Sequence, residues 1–216
     1  MHLWQSAWSD WIRARTFGRP LSGQGYGIGV LASMPTADGG AMLASADEDG
    51  FVKCWRVPSS ERPKSNWWPR PLAQPMTQGR DSLSSYGYGR KPGARITALL
   101  ALEVSGCHLM LAGGRADGQM SFWDPMTAEL LVEAVPGHAG PIHTIIQWEQ
   151  STRRSLLVTA ADNDTTLQIW NPSTLARVSI VNVATPIRAL CAISSDELAI
   201  GTDEGVAVIA LSSIDA

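Results

Sequence analysis

The sequence predicts an all-β chain built from about four copies of one unit of four antiparallel strands, preceded by a short amphipathic helix. Short β-branched and aromatic runs alternate with Asn, Asp and Gly clusters along the 216 residues, as in strands joined by tight turns. An acid precedes a tryptophan by the same six positions three times, at Asp49 and Trp55, Asp117 and Trp123, and Asp164 and Trp170. One stretch, Gly137 to Thr174, holds a complete copy against which the rest aligns.

In that stretch the pair Gly137-His138 leads into an apolar segment, Pro141 to Trp148. A second run, Leu156-Leu157-Val158-Thr159, ends in the turn Asp162-Asn163-Asp164, and the alternating run Leu167-Gln168-Ile169-Trp170 follows. A fourth strand is expected from Leu175 to Val183. A Gly-His pair, an acid in the turn between the second and third strands, and a Trp closing the third make this stretch resemble a WD40 repeat. The resemblance implies a blade of a β-propeller, with His138, Asp164 and Trp170 in a hydrogen-bonded chain. Thr159, about one residue out of phase with the family pattern, is the candidate for the fourth member. Asp162 replaces Asp164 if the turn carries an extra residue. Such a chain has a physical motive, because a buried indole N–H and a buried imidazole each need a partner.

The resemblance extends to about residues 26–211 and places Asp49, Trp55, Asp117 and Trp123 at the acid and Trp positions of two further blades. The Gly-His pair occurs once, and so does the literal Trp123-Asp124 dipeptide. Blades are expected over 26–76, 94–136, 139–184 and 187–211, with a tail over 212–216. In the last blade Glu204 replaces the acid, Ala210 replaces the Trp, and no fourth strand follows.

Four blades are few for this family, and an open end exposes apolar surface. Closure could come from a strand at Thr16 to Leu21, from a second copy, or from blades of a longer protein. The reading preferred is a partial or truncated member whose ring a protein partner or a second copy completes.

Residues 1–25 hold the helix and a Gly-rich lead-in. Leu3, Trp4, Ala7, Trp8, Trp11 and Ile12 recur at helical spacing opposite polar residues. Docking on the chain's own repeats is the first reading, and a partner-facing helix is the sharper one, since Trp is enriched at binding hot spots. Gly23, Gly25, Gly27 and Gly29 alternate without a GxGxxG register, and a strand rather than a helix follows, so a phosphate cradle is not expected.

The interval from Trp55 to Trp123 is 68 residues and that from Trp123 to Trp170 is 47, so an insertion of about 21 lies in the first, placed at about 58–93. Between Arg56 and Arg95 stand eight bases and two acids, a balance of +6 in a chain of net charge −3. Arg62, Lys64, Trp67, Trp68 and Arg70 form its densest basic and aromatic group, beside several prolines. The bland reading is a solvated loop with the Trp67-Trp68 pair against the repeats. The alternative is contact with single-stranded nucleic acid or an acidic partner, since bases interleaved with rings suit both.

The overall charge gives no general attraction to nucleic acid or anionic membrane, and no run approaches a membrane span. Cys54, Cys107 and Cys191 lack a CxxC pair and read as reduced core residues. No GxSxG, HExxH or paired-carboxylate pattern occurs. His138 and His143 are the only close histidines, and the structural role explains His138 without a metal. The expectation is a non-enzymatic scaffold without cofactor or metal, assembling protein complexes in the cytoplasm, with the nucleus left open. The sensor or C-terminal module of a larger signalling protein is a further alternative.

Overall fold

The computed structural model describes residues 27–35, 41–48, 50, 52–57, 70–71, 95–104, 108–125, 129–150 and 155–210. Asp49, the tryptophans at 4, 8 and 11, the tail, and Arg62, Lys64, Trp67 and Trp68 of the insertion lie outside them, as does the strand expected at 16–21. Of Trp55 and Arg70 the backbone alone is described.

All regular structure among the described residues is β-strand. β1 (Ile28–Pro35), β2 (Ala41–Asp47), β3 (Val52–Val57) and β4 (Arg70–Pro71) form sheet 1. Sheet 2 is β5 (Ile96–Val104), β6 (His108–Arg115), β7 (Gln119–Asp124) and β8 (Glu129–Pro136). Sheet 3 is β9 (Ile142–Glu149), β10 (Ser155–Ala161), β11 (Thr166–Asn171) and β12 (Ala176–Asn182). β13 (Ile187–Ala192), β14 (Glu197–Thr202) and β15 (Gly205–Ala210) form sheet 4, which has three strands. Within each sheet consecutive strands pair antiparallel, the arrangement that short turns between neighbouring strands permit. The last strand of sheet 1 lies inside the segment expected to be an insertion.

The sheets stack in chain order. β1 packs along β5, β5 along β9 and β9 along β13, so the first strands of successive sheets line up. Alternate residues of a strand point to opposite faces, and three apolar cores fill the spaces between sheets. Met34, Met42, Ala44, Val52 and Cys54 of sheet 1 meet Ile96, Leu111 and Trp123 of sheet 2. The other face of sheet 2, with Ala112, Met120 and Phe122, meets Ile142, Ile145, Leu157 and Trp170. The other face of sheet 3, with Trp148, Val158, Leu167 and Ile169, meets Ile187, Leu198 and Ile200. Each large aliphatic side chain buried this way contributes about 1.5–3 kcal/mol.

The strand register corrects two expectations. Leu157 pairs with Trp170, Leu111 with Trp123 and Leu43 with Trp55, while Leu198 pairs with Ile209. Ile209 therefore fills the Trp position of sheet 4, and Ala210 is one place beyond it, because the Asp203-Glu204 turn is shorter than its counterparts. Cys54 is buried, and burial pushes its thiol up to about 12. Cys191, expected in the core, is exposed, because it lies on the face of sheet 4 turned away from sheet 3.

Backbone contacts lock the sheets together at their turns. The carbonyl of Gly118 accepts the His138 N–H at 2.9 Å, and the carbonyl of Asp164 accepts the Ile187 N–H at 3.1 Å. Gly118 sits at φ +78°, and a Cβ there would drive into the His138 carbonyl. Gly118→Ala is therefore expected to destabilise the fold by about 1–3 kcal/mol. Urea denaturation of that variant checks the value, and an unchanged midpoint would show that the turn relaxes freely.

Candidate functional site

The most connected polar group in the described structure lies between sheets 2 and 3. Leu157, Thr159 and Ala161 alternate on the β10 face turned towards sheet 2, and Trp170 at the end of β11 shares that face. His138 arrives from the segment before β9, and Asp164 from the β10–β11 turn. Asn163 takes the left-handed conformation there, at φ 57°, which Asn tolerates better than most residues.

Trp170 Nε1 donates to Thr159 Oγ1 at 3.0 Å. Thr159 Oγ1 lies 2.9 Å from His138 Nε2, and His138 Nδ1 lies 2.6 Å from Asp164 Oδ2. The second oxygen of Asp164 accepts from the Thr166 N–H at 2.9 Å and from its hydroxyl at 2.8 Å. Thr159 accepts from the indole, and a neutral His138 that donates from Nδ1 to an ionised Asp164 leaves Nε2 to accept from the Thr159 hydroxyl; the Gln168 carbonyl, at a longer 3.4 Å, is the other acceptor for that hydroxyl. Burial pushes the His138 imidazole below its ordinary value, against the opposing hydrogen bond and charge of Asp164. Burial alone would raise the Asp164 carboxyl, but the hydrogen bonds from His138 and Thr166 hold it below the ordinary range. The His138 side chain is 0% exposed. Gln168 Nε2 donates to the Gly137 carbonyl at 2.6 Å, clamping the loop that delivers the histidine.

The acid is Asp164; Asp162 is exposed and uses its backbone N–H on the Pro141 carbonyl at 2.8 Å. Thr159 stands 11 residues before its Trp, whereas Ser45 and Gly113, at the same register position, stand 10 before theirs. One extra turn residue accounts for the phase difference.

The same positions carry different chemistry elsewhere. In sheet 2 Gly113 replaces the threonine, and the Trp123 ring lies so close that a Cβ at Gly113 would come within 2.7 Å of it. Trp123 is fully buried and its Nε1 finds no hydrogen-bond partner among the described residues. Asp117 does not join Trp123; it accepts from Arg115 Nε and Nη2 at 3.0 and 2.7 Å and from the Gln119 N–H at 3.2 Å. In sheet 1 the buried Ser45 occupies the threonine position across from β3. In sheet 4 Ile200 and Ile209 make both positions apolar.

The sequence reading missed a second set of residues, which couple the sheets. Thr97 Oγ1 donates to the Ile142 carbonyl at 2.6 Å, and His143 Nε2 donates to the Ile187 carbonyl at 3.0 Å. Each is the second residue of its sheet's first strand and reaches the first residue of the next sheet. The available signal was the repeated order Ile96-Thr97, Ile142-His143 and Ile187-Arg188. Trp148 Nε1 adds a bond to the Ser194 carbonyl at 3.0 Å. Among the described residues no group of three or more His, Cys, Asp or Glu is placed to hold a metal ion. No helix among them is long and apolar enough to cross a membrane.

No family model matches the chain, and no curated protein does. Among solved structures it is similar to the computationally designed Ika4 protein, with 18% identity and a TM-score of 0.58 over 89% of this chain and 96% of that one. It is also similar to a chain of the Mitotic Checkpoint Complex, with 18% identity and a TM-score of 0.61 over 90% of this chain. There it spans 51% of the other chain, about half its length. At this identity the likeness shows a shared all-β fold.

The two tryptophans give an internal comparison. Trp170→Phe deletes a hydrogen bond in a connected chain, whereas Trp123→Phe deletes an N–H that has no partner. The first is expected to cost about 1–2 kcal/mol more than the second; equal losses on urea denaturation would show that the chain adds no stability. Acid should weaken the fold in two steps. His138 and Asp164 both sit below their ordinary values, so the unfolded chain takes up each proton first, and stability is lost as pH falls. The first loss begins below about pH 6.5, where free imidazole protonates. Thermal melts across the range should show it in the parent and not in His138→Gln.

Proposed function

We propose that the chain is a WD40-type β-propeller module acting as a non-catalytic scaffold for protein–protein interaction. The observation that carries this reading is the use of the His-Asp-Thr-Trp group. It is buried, its members satisfy one another, and it ties sheet 3 together. A general base needs a route to substrate, and this imidazole is enclosed by the sheets it joins. The four stacked meanders, the resemblance of the 137–174 stretch to a WD40 repeat, and the shared fold with a chain taken from a multiprotein complex support the same reading. No cofactor is part of this proposal, and its setting is the cytoplasm.

In this reading, partners engage the loops at the sheet ends and the basic, aromatic segment around Arg62, Lys64, Trp67, Trp68 and Arg70. Alanine substitution of Arg62, Lys64, Trp67 and Trp68 is expected to lower recovery of protein partners in quantitative affinity purification, with the far-UV spectrum as the control for the fold. An unchanged partner set would remove that segment from the interaction surface. Binding of a single-stranded oligonucleotide that weakens steeply with salt would instead favour the nucleic-acid alternative, which rests on the local charge of that segment.

A further inference from the structure

Aligning the sheets by strand register shows that each uses its two faces in the same way. The face turned to the preceding sheet carries Ile96, Leu99 and Leu111 in sheet 2, Ile142, Ile145 and Leu157 in sheet 3, and Ile187, Leu190 and Leu198 in sheet 4. The face turned to the following sheet carries a second apolar set, with Ala, Gly or Val at its second-strand positions beside larger groups on the third strand. These are Ala44, Ala46, Val52 and Cys54 in sheet 1, Ala112, Gly114, Met120 and Phe122 in sheet 2, and Val158, Ala160, Leu167 and Ile169 in sheet 3. The first kind of face packs into the second at all three junctions.

Both kinds of face are left over at the ends of the row. On sheet 1 the register equivalents of the first set are Ile28, Leu31 and Leu43; Ser45 and Asp47 on the same face are buried, while Ile28 and Leu31 are 46% and 58% exposed. Sheet 4 presents Ala199, Gly201, Val206 and Val208, the equivalents of the second set, with Val206 and Val208 80% and 56% exposed. Ala189 and Cys191 extend that face and are exposed too. A contiguous apolar sheet face of this kind marks an interaction surface. Sheets 1 and 4 of one chain do not pack on each other to the extent that consecutive sheets do.

The polar coupling points the same way. Arg188 holds the position of Thr97 and His143, which donate to the first carbonyl of the next sheet. In this chain it pairs with Asp203 at 2.9 and 2.8 Å on the surface. The matching acceptor on sheet 1 is the carbonyl of Ile28.

We propose that the open face of sheet 4 docks the open face of sheet 1 of a second copy of this chain, and that two copies close head to tail into one ring of eight sheets. The inference rests on the propeller reading and adds the identity of the partner that completes the ring. A head-to-tail contact joins two different surfaces and closes without loose ends when the rotation returns after two copies. Each new junction would repeat the three junctions already within the chain, with Leu31 against Val208 and Ala199, and Arg188 within reach of the neighbouring strand. Cys191 would then be covered.

Light scattering of the purified full chain over a ~100-fold range of concentration tests the assembly. The expected mass is twice the 23.2 kDa of one chain. Val208→Glu and Leu31→Lys should each weaken association ~100-fold or more, since a charge is buried without its partner. Each variant should give single chains with an unchanged far-UV spectrum. Mixing the two should restore the double mass, because one junction is then unaltered and the other sets Lys against Glu. If Val208→Glu unfolds the chain, Val206→Glu replaces it, which keeps an acid opposite Leu31→Lys in the mixture. In a Cys107→Ser background, Cys191 should react slowly with a maleimide in the parent and fast in Val208→Glu.

A parent that stays at single-chain mass overturns the proposal. So does a mass that keeps growing with concentration, a double mass that survives Val208→Glu, or a mixture that fails to recover. A single-chain parent with a protected Cys191 would mean that the chain's own residues cover the face, and would also overturn it. None of these outcomes bears on partner capture by the basic segment, so the scaffold reading is tested separately.

Discussion

A four-stranded meander is one layer thick, and in this chain both of its faces are apolar. Such a sheet gains little by forming alone, because a strand exposes its alternate side chains on two sides and only a neighbouring sheet removes them from water. Every other feature follows from that constraint. The Ile and Leu positions at the start of the first and second strands exist to fill the preceding sheet. Alternate positions, small on the second strand and larger on the third, accept the following one. Stability is therefore distributed over junctions, as in other repeat architectures.

Polar groups in such a stack must be satisfied within it, and the chain does so unevenly. Sheet 3 spends a histidine, an aspartate, a threonine and a tryptophan on one hydrogen-bonded chain. Sheet 4 dispenses with it by placing isoleucine at both the threonine and tryptophan positions. Sheet 2 stands between, keeping the tryptophan and losing its acceptor to Gly113, so that the ring packs but its N–H finds no partner among the described residues. One architecture thus tolerates a satisfied network or an apolar substitute, as the balance between hydrogen bonding and desolvation allows.

Thr97 and His143 show how the junctions acquire direction. Each side chain crosses from the first strand of its own sheet to the opening carbonyl of the next. The contact fixes the offset between sheets where apolar packing alone would let them slide. Gly118 does the same from the turn side, in a backbone conformation that a larger residue would strain.

The alternation of apolar runs and Asp, Asn or Gly turns was enough to determine strands, their antiparallel order and their grouping into four, because those depend on local periodicity and short loops. The acid-to-tryptophan spacing picked out Asp164 and Trp170, while His138 and Thr159 were named through the resemblance of the 137–174 stretch to a WD40 repeat. Partner choice within that spacing lay beyond the sequence. Whether Asp117 would turn to Arg115 or towards the tryptophan, whether Trp123 would find an acceptor, and that Ile209 rather than Ala210 fills the last aromatic position all depend on cross-strand register. The fate of Cys191 depended on it too: its apolar strand suggests a core, but which face of that strand is covered is decided only when the sheets stack.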